Sequence, residues 1–192
     1  MFAQTFHPAM KFAGPLRPQL GFRTMFNILG PLTNPAGAAC HVMGVPNVVL
    51  AEKMAHVLAR LGMRHALVVT GEDGLDDITV TGPTTVFEVR GDEVSQRTIT
   101  PFDLGLTVHT AEEIEGGTPE QNAQIFRDVL RGEGPLAVRD LIVAQAGAGL
   151  YVTGLAASLR HGVEQAIQSI HEGDAAAKLG AFVEATRRAA GK

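Results

Sequence analysis

CHVMGVPNVVLAEKMAHVLARLGMRHALVVTG, residues 40–71, decides the fold. CHVMGV, residues 40–45, reads as a short strand. From Val48 to Leu61 the apolar positions Leu50, Met54, Val57, Leu58 and Leu61 recur at helical spacing, and Gly62 supplies a stop. Ala66 to Val69 is a continuous apolar run without alternation, the pattern of a strand covered on both faces. Strand, helix, strand over residues 40–70 is a βαβ unit, which places the chain in the α/β class and predicts a mostly parallel sheet flanked by helices.

Downstream, the second strand runs through Thr70 into Gly71-Glu72-Asp73-Gly74-Leu75-Asp76-Asp77. Open α/β sheets collect ligands beyond the carboxyl ends of their strands, so this acidic loop is the leading site. Two adjacent carboxylates repel unless water or a cation screens them. In a tight loop Asp76 and Asp77 can both aim at one Mg²⁺, which prefers oxygen ligands, whereas on a regular strand they would point to opposite faces. The competing reading is an ordinary acidic surface loop. Val86–Val89 and Val94–Ile99 flank Arg90-Gly91-Asp92-Glu93 and predict a hairpin. Beyond residue 105 the pattern becomes helical. One helix is capped by Thr118 and Pro119 and runs to Leu130; another opens at Pro135 and runs to about Val152, with Gly147 and Gly149 permitting close packing. Ser158 caps a helix to Ile170 and Asp174 caps the last.

With 192 residues and 45% apolar side chains the chain can bury a core. Its net charge of -4, without a basic run, disfavours nucleic-acid binding. Cys40 is the single cysteine, which excludes an intrachain disulfide and a cysteine-rich metal site. No apolar run approaches the roughly 20 residues of a membrane span, and no secretory signal pattern opens the chain. These features predict a cytoplasmic protein without membrane or nucleic-acid partners. His41, His56, His65, His109, His161 and His171 form no metal-binding or carboxylate-paired motif in sequence and read as structural or exposed.

Upstream, RTMFNILGPLTNPA, residues 23–36, places an apolar segment before a Gly30-Pro31 turn and a Thr33-Asn34-Pro35 step, a rigid loop by composition. Pro8, Pro15 and Pro18 divide residues 8–20 into short helical pieces.

The longer stretch HPAMKFAGPLRPQLGFRTMFNILGPLTNPA, residues 7–36, closely resembles the central signature of the anthranilate phosphoribosyltransferases of tryptophan biosynthesis. The rest of the chain is similar to that family through its C-terminus. The resemblance covers nearly all of these residues, but only the second half or somewhat more of the full enzyme.

It implies the remnant of a phosphoribosyltransferase/nucleoside-phosphorylase-like catalytic domain, with residues 1–192 a partial α/β domain and the helical N-terminal domain and first strands absent. It also implies transfer of phosphoribose from phosphoribosyl pyrophosphate to the amine of anthranilate, with Mg²⁺ as cofactor and a homodimer when full length. Gly74-Leu75-Asp76-Asp77 stands where the family has Gly-Leu-Asp-Glu, so Asp76 and Asp77 would hold the metal, with Asp77 one methylene shorter than the family's glutamate. Arg17, ten residues after His7, matches the arginine that takes the anthranilate carboxylate through two parallel hydrogen bonds. His7 would orient the same substrate, Pro31 would pack on its ring, and Met10 and Asn34 are further substrate-binding candidates. The family's GTGGD phosphate cradle and Lys-His-Gly segment do not occur in these residues. An incomplete sheet of this kind predicts poor autonomous stability and little activity. Two alternatives stay open: a pyrimidine nucleoside phosphorylase-like pentosyltransferase and a noncatalytic assembly module.

Overall fold

The computed structural model describes residues 30–191, together with Phe6 and Phe12, which are helical and exposed. The chain divides into two compact units, Met1–Ala38 and Ala39–Lys192. In the first, residues 30–32 are helical and the turn that follows is closed locally. Asn34 Oδ1 accepts from the Ala36 N–H at 3.0 Å, and the Gly37 N–H donates to the Asn34 carbonyl at 3.2 Å.

The second unit opens with β1 (Cys40–Gly44), α1 (Val48–Arg60) and β2 (His65–Gly71). Asn47 starts α1 by accepting the Leu50 N–H on its side chain at 2.9 Å, and Gly62 takes a positive φ just past the helix end. β1 and β2 are parallel, as the βαβ reading expects. Every residue of β2 is buried. Successive side chains alternate between faces: Leu67 and Val69 join one apolar cluster, while Ala66 and Val68 turn to the other side.

The remainder of the sheet corrects the expected parallel arrangement. β3 (Thr84–Arg90) pairs antiparallel with β2, and β4 (Glu93–Ile99) pairs antiparallel with β3, in the order β1-β2-β3-β4. Among the described residues, only the β1–β2 pair is parallel. The cause is the form of the connections, neither of which supplies a crossover helix. A parallel return needs a crossover of about a dozen residues or more, usually helical. Residues 72–83 form a compact non-helical loop, and Gly91 and Asp92 alone join β3 to β4. β2 is buried along its whole length, as its apolar run predicts, but burial does not determine strand direction.

Two 3₁₀ turns, Pro101–Leu104 and Glu112–Ile114, lead into α2 (Pro119–Leu130), α3 (Leu136–Thr153), α4 (Leu159–His171) and α5 (Asp174–Ala189). Thr118 and Gln121 cap α2 reciprocally, and Ser158 caps α4 through the His161 N–H. The expected cap Asp174 is instead the first residue of α5, after Gly173 in a left-handed conformation; its charge there suits the positive end of the helix dipole.

Helix α3 closes the core. Val143, Ala144, Ala148 and Val152 lie in one cluster with Leu67, Val69, Ile78 and Val86. The helix packs backbone to backbone on α4: a Cβ on Gly147 would fall 2.5 Å from the Val163 nitrogen, and one on Gly162 would fall 2.2 Å from the Gly147 carbonyl oxygen. Gly149, two residues on, has open space around it.

Between α3 and the sheet sits Glu88, only 5% exposed. It accepts from Tyr151 Oη at 2.8 Å, meets His65 Nε2 at 2.9 Å, and pairs with Arg90 and Arg97, each at 2.9 Å. A buried carboxylate is tolerable only when satisfied in this way.

The two α3 glycines therefore have opposite expectations. Gly147→Ala should cost roughly 3 kcal/mol by forcing two backbones apart, whereas Gly149→Ala should be neutral or stabilising by up to about 1 kcal/mol through helix propensity. Urea denaturation midpoints measure both, and equal effects would remove the close-approach explanation.

Candidate functional site

The loop from Gly71 to Pro83 carries the acidic residues at the carboxyl end of β2. Its interior is fixed by Asp73. One oxygen of that carboxylate accepts from Thr79 Oγ1 and Thr81 Oγ1, and the other accepts from the Leu75 N–H at 3.0 Å. Burial works against the ionised Asp73, but these hydrogen bonds outweigh it and hold its pKa below the ordinary range. Backbone bonds from Gly71 N to Leu75 O at 2.8 Å and Glu72 N to Pro83 O at 3.0 Å close the loop base. Asp73 is therefore a loop staple rather than a third ligand.

Asp76 is exposed and Asp77 half-buried, and neither carboxylate has a hydrogen-bond or salt-bridge partner among the described residues. Burial first, and the neighbouring Asp76 charge second, push the Asp77 carboxyl above its ordinary value of 3.8. The Asp76 carbonyl rests on β1: a Cβ on Gly44 would lie 1.4 Å from that oxygen. On the other side of the pair, Gln145 of α3 bonds both backbone groups of Ile78. Its Oε1 accepts the N–H at 3.3 Å and its Nε2 donates to the carbonyl at 2.8 Å.

Asp77 and Gln145 line a cleft of about 380 Å³ that also involves His41, Gly44 and Val152, between β1 and α3. Burial lowers the His41 pKa, keeping that ring neutral near pH 7. Cys40 begins β1 half-buried, and its Sγ accepts from Arg64 Nη2 at 3.0 Å.

Among the described residues, no group of three or more His, Cys, Asp or Glu side chains could hold a metal ion. An all-protein cage is thus not what this loop offers. Two carboxylates without a basic partner suit Mg²⁺ of the kind that keeps waters and substrate oxygens and takes one or two protein ligands. No helix among the described residues is long and apolar enough to cross a membrane.

The family comparison decides the lineage. A family model described as "Glycosyl transferase family, a/b domain" matches residues 1–176. The chain belongs to that family. It is similar to the anthranilate phosphoribosyltransferase of Rubrobacter xylanophilus, at 50% identity over 192 residues, covering 100% of this chain and 56% of that protein. The solved anthranilate phosphoribosyltransferase of Thermus thermophilus superposes with a TM-score of 0.88 at 41% identity, covering 96% of this chain and 54% of that one. The Saccharomyces cerevisiae enzyme, solved in complex with phosphoribosyl pyrophosphate and magnesium, gives 0.84 at 27% identity, covering 93% and 51%. The chain spans about half the length of the curated relatives it matches.

Of the sequence-predicted site residues, Asp76 and Asp77 lie together on the loop. Pro31 is exposed in the first unit, and Asn34 has its side-chain oxygen committed to its own turn. His7, Met10 and Arg17 lie outside the described residues, as does Arg23. Asn122 clamps Gly117 through both its amide groups, a purely local duty.

Two histidines read as unpaired do meet carboxylates: His65 meets Glu88, and His109 Nε2 meets Asp140 Oδ2 at 2.9 Å. These hydrogen-bonded carboxylates lie 23 and 31 residues away, beyond any local motif, while Glu113, four residues on, stands 3.8 Å from His109 Nδ1. Gln145 and Gly44 likewise join the loop only through tertiary contacts. The available signal was one amide in LIVAQAGAGLYV, residues 141–152, where only Gln145 and Tyr151 carry polar groups.

Asp77 and Glu88 predict opposite responses to pH. Glu88 is penalised by burial but more than compensated by Tyr151, His65, Arg97 and Arg90, so its pKa lies below 4.5; its stabilising contribution is present at neutral pH and lost as pH falls through that lowered value. Asp77 is raised. Its penalty is absent well below pH 3.8, where folded and unfolded forms are both protonated, grows as pH rises from 3.8 to the raised folded pKa, and is fully present above it. In metal-free buffer at pH 7, Glu88→Gln should lower the thermal midpoint and Asp77→Asn should raise it by a few degrees, the latter gain vanishing in acid. A loss of stability in Asp77→Asn at pH 7 would contradict the unpartnered state of that carboxylate.

Proposed function

We propose that this chain carries the anthranilate- and metal-handling part of an anthranilate phosphoribosyltransferase. The reaction moves phosphoribose from phosphoribosyl pyrophosphate to the amino nitrogen of anthranilate and releases pyrophosphate. One observation carries the reading: Asp76 and Asp77, at the end of β2, have no basic partner among the described residues, in a chain 50% identical over its whole length to a protein of that name. The likeness to a yeast enzyme solved with phosphoribosyl pyrophosphate and magnesium supports the same ligand pair here.

Asp76 and Asp77 would hold the Mg²⁺, which supplies positive charge to a departing pyrophosphate. The loop locks described above hold the backbone that carries the two carboxylates before the ligand arrives, so the loop itself needs little reorganisation on binding. Arg17 would grip the anthranilate carboxylate as a fork, and His7 would orient the amine. Pro31 would pack on the aromatic ring, with Met10 beside it. Asn34 would contribute its amide NH₂, since its oxygen already serves Ala36. In this reading the full-length protein is a cytoplasmic homodimer without nucleic-acid or membrane partners.

Calorimetric titration with anthranilate, in the presence and absence of Mg²⁺-phosphoribosyl pyrophosphate, tests the assignment. Saturable anthranilate binding is expected. Arg17→Ala should weaken it at least 10-fold, because a charge-assisted bidentate bond contributes about 1.5–3 kcal/mol. Unchanged affinity in the variant would remove Arg17 from the site, and no binding by the folded parent would count against the reading itself.

A further inference from the structure

We infer that Gln145 is a positioning residue for the acidic pair, and that it acts by fixing the peptide plane on which Asp77 is mounted. The inference rests on the metal-pyrophosphate reading of Asp76 and Asp77 and adds to it the side chain that sets the direction of Asp77.

A trans peptide unit is planar and includes the Cα atoms at both its ends. The plane joining Asp77 to Ile78 contains the Ile78 N–H, which Gln145 Oε1 accepts at 3.3 Å. Gln145 Nε2 donates to the Ile78 carbonyl at 2.8 Å, so the next plane is held by the same amide. The Ile78 side chain is 1% exposed and sits in the core, which prevents the backbone from rotating away. The plane before Asp77 is fixed independently, because the Asp76 carbonyl fills the space above Gly44. With both flanking planes held, φ and ψ of Asp77 are set, and so is the direction of its Cβ.

The support beneath Gln145 is rigid. Gly147, two residues on, is in backbone contact with α4, so α3 cannot slide to follow the loop. Among the described residues, Gln145 is the one side chain of a helix that hydrogen-bonds residues 72–83. It faces the same cleft as Asp77. The site thus receives one anchor from β1 and one from α3, on opposite sides of the acidic pair.

A merely structural glutamine would satisfy the Ile78 backbone and leave ligand affinity alone, so the test is a double-mutant cycle. The 192-residue chain is titrated with Mg²⁺-pyrophosphate by calorimetry as parent, Asp77→Asn, Gln145→Met and the double variant, at a temperature where circular dichroism reports all four folded. Gln145→Met should weaken binding about 10-fold, the scale of outer-shell partners of metal ligands. In the Asp77→Asn background the same change should have no further effect, since the residue acts through Asp77.

Parental affinity in Gln145→Met, or equal effects in both backgrounds, overturns the proposal while leaving the metal site intact. Absence of saturable binding by the folded parent overturns the metal-pyrophosphate reading, and the proposal with it. Should Gln145→Met not fold, Gln145→Asn takes its place in the cycle; it keeps the amide uncharged and withdraws it by one methylene.

Discussion

Helix α3 holds this unit together, and it does so from a position that only glycine permits. Gly147 and Gly162 bring α3 and α4 into contact at their backbones, leaving no room for a Cβ on either. From that base α3 lays Val143, Ala144, Ala148 and Val152 over the apolar side of β2 and β3. Three polar side chains reach out from the same helix. Asp140 takes His109 and Arg139, Gln145 takes the Ile78 backbone, and Tyr151 takes Glu88 and Arg90. Each ties a different segment to one rigid element. The apolar residues supply the greater part of the burial energy, while the polar ones fix register and direction.

Two positions along α3, Tyr151 near its C-terminus and Gln145 at its middle, adjoin acids that are treated in opposite ways. Near Tyr151, Glu88 is buried and fully satisfied, with two arginines and a histidine around it. Near Gln145, Asp77 is half-buried beside a second carboxylate and has no basic partner among the described residues. A fold that neutralises one buried acid so completely has left another unneutralised a short way along the same helix. That contrast is what makes the acidic loop read as a place for an external cation, since uncompensated repulsion costs stability and persists where a ligand relieves it.

Much of this architecture was legible along the chain. Apolar spacing located α1, Thr118 and Ser158 located two helix starts, and the Gly91-Asp92 turn located the hairpin. These features are local, governed by capping, turn chemistry and side-chain period. The parallel sheet was over-read because an apolar run reports burial on two faces and carries no information about strand direction. Of the two glycines flagged for close packing, Gly147 meets a backbone and Gly149 meets open space; a shared Ala-Gly local context hides that difference.

The sequence by itself determined the α/β class, the order of elements and the adjacent acids Asp76 and Asp77, because each depends on residues within a few positions of one another. Tertiary structure alone decided what those acids can do. It withdrew Asp73 into a staple with Thr79 and Thr81, seated the Asp76 carbonyl on Gly44, and brought Gln145 to Ile78 across 67 residues of chain. The reason is physical. Propensity and pattern act through neighbouring dihedrals, whereas the direction of a carboxylate is set by whichever distant groups pack against its backbone.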